Sequence, residues 1–160
     1  MSTAEFHTVA DYQTALDALI AETQWRLRFY DATLEKGGFN AAVRYERMRT
    51  FCLGGGGQRR IEILLDEPAH VQTQCPRLMS LLRDFSHVVE IRQTESDSER
   101  PAYGFALADR SAWLKRFEKD ALPGQWGRDD TAGAVMLHQE FEQLWQRAIP
   151  NVSSSTLGLA

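Results

Sequence analysis

The chain has 160 residues, 43% of them hydrophobic and 25% charged, which is the composition of one soluble globular domain and excludes wholesale disorder. Its 18 basic and 22 acidic side chains give a formal charge of −4, arguing against a dedicated electrostatic binder of nucleic acid or membrane surface. Met1 to His7 lacks a basic n-region and an apolar h-region, and no apolar run approaches the ~18–20 residues of a membrane span, so a cytoplasmic protein is expected. The only cysteines, Cys52 and Cys75, form no metal-ligand pattern and no disulfide framework, and read as buried thiols in a reducing compartment.

Thr8-Val9-Ala10-Asp11 opens a first helix as a capping box, with Tyr12, Leu16, Leu19 and Ile20 as its buried stripe. Trp25, Leu27 and Phe29 alternate with Arg26, Arg28 and Tyr30, predicting a strand with one buried face. Gly37-Gly38 breaks the chain, and Asn40 is the expected N-cap of a helix reaching Leu53, with Tyr45, Met48 and Cys52 inward. Gly54 to Gly57 follows a helix and lacks the Gly-Lys-Ser/Thr ending of a phosphate loop, so it reads as a helix terminator.

Ile61 to Leu65 is a nearly continuous apolar strand, as expected where a sheet is covered on both faces. A helix starts near Pro76, with Leu78, Leu81, Leu82 and Phe85 inward, followed by a strand around Val88, Val89 and Ile91 and a polar loop from Thr94 to Pro101. Phe105, Leu107 and Ala108 form another strand. Ala112 to Lys119 is its hairpin partner or a helix, and the stretch around Trp126 reads as irregular. A last helix spans Thr131 to Ala148, with Leu137, Phe141, Leu144 and Trp145 on one face, before Pro150 and a polar tail tipped by Leu157-Gly158-Leu159. Helices alternating with short strands imply an α/β layered sheet with helices on both faces, in a single domain (core about 9–149, tail 150–160).

Three aspartates, Asp31, Asp66 and Asp109, each close a predicted strand. If those strands are parallel, their carboxyl ends share one edge, where the three carboxylates would hold Mg²⁺ for phosphoryl transfer or a receiver-like role. The alternative reading is that they close turns. The histidines His7, His70, His87 and His138 have no catalytic spacing, and His138 is expected to face solvent. Arginine outnumbers lysine fifteen to three, but only Arg44, Arg47, Arg49, Arg59 and Arg60 offer an arginine face for nucleic acid.

From Ile61 onward, Ile61-Glu62-Ile63-Leu64-Leu65-Asp66, then Cys75-Pro76-Arg77-Leu78-Met79, the strand at Ile91, the short strand ending at Asp109 and the helix with Phe141-x-x-Leu144-Trp145 follow a familiar order. This resembles one half of the phospholipase D superfamily fold, and more closely a bacterial family of uncharacterised proteins with that fold. Catalytic halves carry His-x-Lys-x-x-x-x-Asp, in which histidine attacks phosphorus and lysine stabilises the phosphoryl oxygens. With the motif's aspartate on Asp109, Ala102 and Gly104 stand where histidine and lysine belong, and a shift by one gives Tyr103, Phe105 and Arg110. The resemblance therefore implies a non-catalytic domain that needs no cofactor. It would bind a small ligand or protein partner in a degenerate cleft lined by Tyr103, Phe105, Asp109 and Arg110. It also implies a homodimer, with Trp113 and Trp126 near the seam and Trp25 and Trp145 in the core.

Overall fold

The computed structural model describes residues 1–96 and 99–154; the apolar tip Leu157-Gly158-Leu159 lies outside them. Seven strands form one mixed sheet in the order β1-β7-β6-β5-β2-β3-β4. Strands β2 (Arg26–Asp31), β3 (Arg60–Leu65) and β4 (Val89–Gln93) are parallel. Strand β5 (Gly104–Ala108) runs antiparallel to β2, and β6 (Ala112–Arg116), β7 (Gly124–Arg128) and β1 (Ser2–Phe6) continue antiparallel to the far edge.

Helices cover both faces. On one lie α1 (Val9–Glu22), α2 (Ala42–Leu53), the short α3 (Ala69–Gln74) and α4 (Pro76–Asp84), whose Leu16, Met48, Val71, Leu78 and Leu81 belong to one core cluster with Leu27, Phe29, Ile61 and Ile63. On the other lies α5 (Thr131–Arg147), which buries Leu137, Phe141, Leu144 and Trp145 among Tyr30, Leu64, Phe105 and Leu107. The period-2 alternation of β2, β3 and β5 thus feeds two cores. Thr8 caps α1 by accepting from Asp11 N at 3.1 Å, and Asp130 caps α5 by accepting from Gly133 N at 3.0 Å.

Several expectations are corrected. Strand β2 is buried on both faces, because α5 covers Arg28 and Tyr30, while Trp25, just before the strand, is 55% exposed. Asn40 does not cap α2. Its Oδ1 accepts from Arg77 N at the start of α4, and α2 begins at Ala42 with Ala41 at the N-cap and no side-chain cap. The segment after β5 is the hairpin partner rather than a helix, and Trp126 lies in strand β7. Two glycines disguise that strand: a side chain at Gly127 would run into the Trp113 indole, and one at Gly124 into Phe6. Strand β1 and helix α3 had no detectable periodic signal. Gly55, Gly56 and Gly57 all adopt positive φ, as a helix terminator requires.

Candidate functional site

The carboxyl ends of β2 and β3 carry Asp31 and Asp66 to one edge of the sheet. Asp109 goes to the other. Strand β5 is antiparallel to β2, so its carboxyl end lies beside the amino end of β2, and the three-aspartate cluster does not form. Asp109 adopts positive φ (51°) and spends its carboxylate on the chain: Oδ1 accepts from Trp25 N at 2.8 Å and Arg26 N at 3.0 Å, and Oδ2 from Gln24 N at 2.9 Å. It is the clasp that fixes the start of β2. No group of three or more possible metal-ligating residues occurs among the described residues.

At the carboxyl edge, both remaining aspartates are neutralised by cations from the segment after β5. Arg116, on β6, pairs with Asp31, and its Nη1 also donates to the carbonyls of Lys119 (2.7 Å) and Ala121 (2.9 Å). Burial pushes the Asp31 carboxyl up, opposed by the Arg116 guanidinium and by the N–H of Ala32. Lys119 Nζ donates to Asp66 Oδ2 at 2.7 Å and to the Tyr30 hydroxyl at 2.9 Å. Asp66 Oδ1 accepts from Thr94 Oγ1 at 2.8 Å and from the Tyr30 hydroxyl at 3.1 Å, and Arg100 stands 3.7 Å away. Burial and the Asp66 carboxylate together raise the Tyr30 phenol well above its ordinary value.

Ala102 lines a cleft of ≈ 360 Å³ here, together with Asp31, Arg116 and Lys119. Gly104 sits behind it: a β-carbon at this position would lie 3.2 Å from the Tyr30 carbonyl and 3.3 Å from both Arg116 Nη2 and Asp31 Oδ1. Ala102, at the cleft wall, and Gly104, behind it, thus both lie close to a finished Asp31–Arg116 pair.

The four residues expected to line one cleft are divided. Phe105 is buried between Tyr30 and Phe141, with ring centroids 5.6 and 6.4 Å away. Tyr103 leans on it from the carboxyl-edge side, under the Lys115 ammonium at 4.0 Å. Asp109 and Arg110 lie six and seven residues on, about 20 Å along an extended strand, and belong to a different groove. Of the five arginines suggested as one face, three are spent on the chain itself: Arg44 is buried against Asp17 and Gln13, Arg59 packs over Phe51, and Arg60 bonds the His87 carbonyl.

That second groove, ≈ 620 Å³, is lined by Trp25, Arg26, Arg28, Asp109, Arg110, Val135, His138, Gln139 and Glu142. Its floor is a charged network that the sequence pattern did not reveal. Arg28 donates to Glu62 Oε1 (3.0 Å) and Glu142 Oε2 (2.6 Å) and lies over the Phe141 ring. His138, expected in solvent, is half-buried, with Nδ1 3.1 Å from Arg28 Nη1 and Nε2 2.8 Å from the Asp109 carbonyl. Only the Nε2–H tautomer satisfies both contacts, since the guanidinium can only donate. Desolvation, reinforced by the nearby arginines, holds the imidazole below its ordinary pKa. The signal that could have found this network is Arg28 and Glu62 at matching positions of two adjacent apolar strands.

A mixed α/β sheet of this order, with helices on both faces, makes the chain a phospholipase D-like fold. Nuc from Salmonella typhimurium, a phospholipase D family member, is 11% identical with a TM-score of 0.64 over 95% of this chain and 99% of Nuc. Phosphatidylserine synthase from Haemophilus influenzae is 12% identical with a TM-score of 0.66 over 99% of this chain and 41% of that one. TrmBL2, an archaeal chromatin protein with a novel mode of DNA binding, is 12% identical with a TM-score of 0.68, over 94% of this chain and 54% of its own. The chain thus spans about half the length of TrmBL2 and less of the synthase. Within that fold class the chain belongs to the family described as a domain of unknown function, DUF7931, whose model matches residues 8–157. No curated protein sequence matches it. No helix among the described residues is long and apolar enough to cross a membrane.

Proposed function

We propose that this is a non-catalytic phospholipase D-like domain that binds a small ligand or a partner, using the groove between the start of β2 and α5. The observation that carries the reading is Gly104 against the Asp31–Arg116 pair. Phosphodiester cleavage by the route of the resembled enzymes needs a nucleophile and a free cation on the phosphoryl oxygens. Here Ala102 supplies neither, and Arg116 and Lys119 are each committed to an aspartate. The same pairing weighs against Mg²⁺ chemistry, since a metal at Asp31 or Asp66 would have to displace an internal cation. A cytoplasmic setting fits the free, buried thiols of Cys52 and Cys75. A homodimer, with the partly buried Trp113 and Trp126 near its seam, belongs to the same reading, and light scattering at micromolar protein tests it.

Bis(p-nitrophenyl) phosphate tests the non-catalytic assignment. The expected result is hydrolysis no faster than in buffer, with or without Mg²⁺. Turnover that disappears in Lys119→Ala overturns it.

A further inference from the structure

Tryptophan is among the most buried residues on average, and a solvent-facing indole on a rigid backbone is unusual. Trp25 is 55% exposed, yet its backbone is held on both sides: Trp25 N donates to Asp109 Oδ1 at 2.8 Å, and its carbonyl accepts from Arg60 N at 3.0 Å. No ring or cation contact engages the Trp25 indole among the described residues. It therefore offers an unoccupied stacking face on a fixed backbone.

The charges around that face are unequally spent. Both acidic groups of the groove are committed, Glu142 to Arg28 and Asp109 to three backbone N–H groups. Of the guanidiniums, Arg28 is consumed by the floor. Arg26 uses only its Nε, on Glu62, and Arg110 is exposed with no hydrogen bond or ion pair among the described residues. The carboxylates are paired while guanidinium donors remain, so the groove favours an anion, and a guanidinium fork suits phosphate oxygens. A volume of ≈ 620 Å³ falls within the roughly 300–1,000 Å³ of small-molecule sites.

We infer that this groove binds a nucleotide, its base stacked on Trp25 and its phosphate held by Arg110 and Arg26. The inference rests on the ligand-binding reading above and names the ligand class. A net charge of −4 disfavours a long polyanion more than a free mononucleotide, and a nucleotide within a single strand presents the same chemistry.

Calorimetric titration at low salt tests it with AMP, adenosine, ribose 5-phosphate and a ten-residue oligodeoxyadenylate. The expected result is that AMP binds better than adenosine or ribose 5-phosphate. Trp25→Ala weakens AMP by about tenfold or more, whereas Trp25→Phe retains it. Arg110→Gln brings AMP down to the level of adenosine and leaves adenosine unchanged. A strand that binds no tighter than AMP identifies the free nucleotide as the source; one that binds much tighter and weakens steeply with salt identifies the strand. Equal AMP binding by the wild type, Trp25→Ala and Arg110→Gln overturns the inference. Ribose 5-phosphate binding as tightly as AMP and lost in Arg110→Gln also overturns it while sparing the ligand-binding reading. Silence in every arm, with no thermal shift from a panel of other phosphorylated metabolites, removes both.

Discussion

Arg116 is the largest of the fully buried side chains, and its position explains how a charge survives inside a sheet protein. One face of the guanidinium meets Asp31, three backbone carbonyls take its Nη1, and the Tyr12 ring lies 5.3 Å away. Removing one member of a buried pair leaves the other uncompensated, which costs about 3–5 kcal/mol. Arg116→Met is expected to destabilise by that amount in urea titration, and Arg116→Lys to recover little of it because an ammonium cannot reproduce the fork. A loss below 1 kcal/mol in Arg116→Met would show that the pair is not structural. Asp109 has a different sensitivity. Asp109→Ala removes the acceptor of three N–H groups at the start of β2, so it is expected to lower the unfolding midpoint as well as loosen Trp25. A ligand effect of that variant therefore needs the surface variant Arg110→Gln beside it.

At the scale of elements, strand β5 decides what the carboxyl edge can do. Its Gly104 has no room to spare against Tyr30 and the Asp31–Arg116 pair, so the double variant Ala102→His, Gly104→Lys is expected to lose stability, seen as a lower thermal midpoint, and to gain no phosphodiesterase activity. Turnover by that variant would mean the edge is only two side chains from an active site. Most of the elements were legible. The stripes of α1, α4 and α5 and the apolar runs of β3 and β4 are long or regular enough to stand alone. Strand β7 was hidden because Gly124 and Gly127, the residues that make its close approach to Phe6 and Trp113 possible, are those that ordinarily end strands. Helix α3 buries only Val71, too little for a period. Of the site, Asp31 and Asp66 were legible as strand-end carboxylates, but the direction of β5, which sends Asp109 to the opposite edge, is a tertiary fact. The burial of Arg28 and half-burial of His138 follow from where α5 lies, and the exposure of Trp25 from its place just before β2, whereas the sequence alternation predicts the reverse.

For the whole molecule, the network beneath the groove ties folding to pH. His138 projects from α5 between Arg28 of β2 and the carbonyl of Asp109, with Arg26, Glu62 and Glu142 as the other charged neighbours. Its pKa is depressed in the folded state, by desolvation first and then by the arginines, although the Asp109 carbonyl and Glu142 oppose this. The unfolded chain therefore takes up the proton more readily. The stability tied to neutral His138 is fully present above the unfolded value of about 6.5 and is lost as pH falls through that value toward the lower folded one. Protonation would also place a second cation against Arg28 and end the role of Nδ1 as acceptor. Glu142 does not confound this window. Burial works against its ionisation, but the Arg28 hydrogen bond and charge outweigh that and hold it below its ordinary 4.5, so it titrates at more acidic pH. The expected outcome is a thermal midpoint that falls between pH 7.5 and pH 5.5 in the wild type and falls less in His138→Gln, which keeps a donor for the Asp109 carbonyl without a titrating ring. Equal falls in the two proteins would assign the pH dependence to other groups.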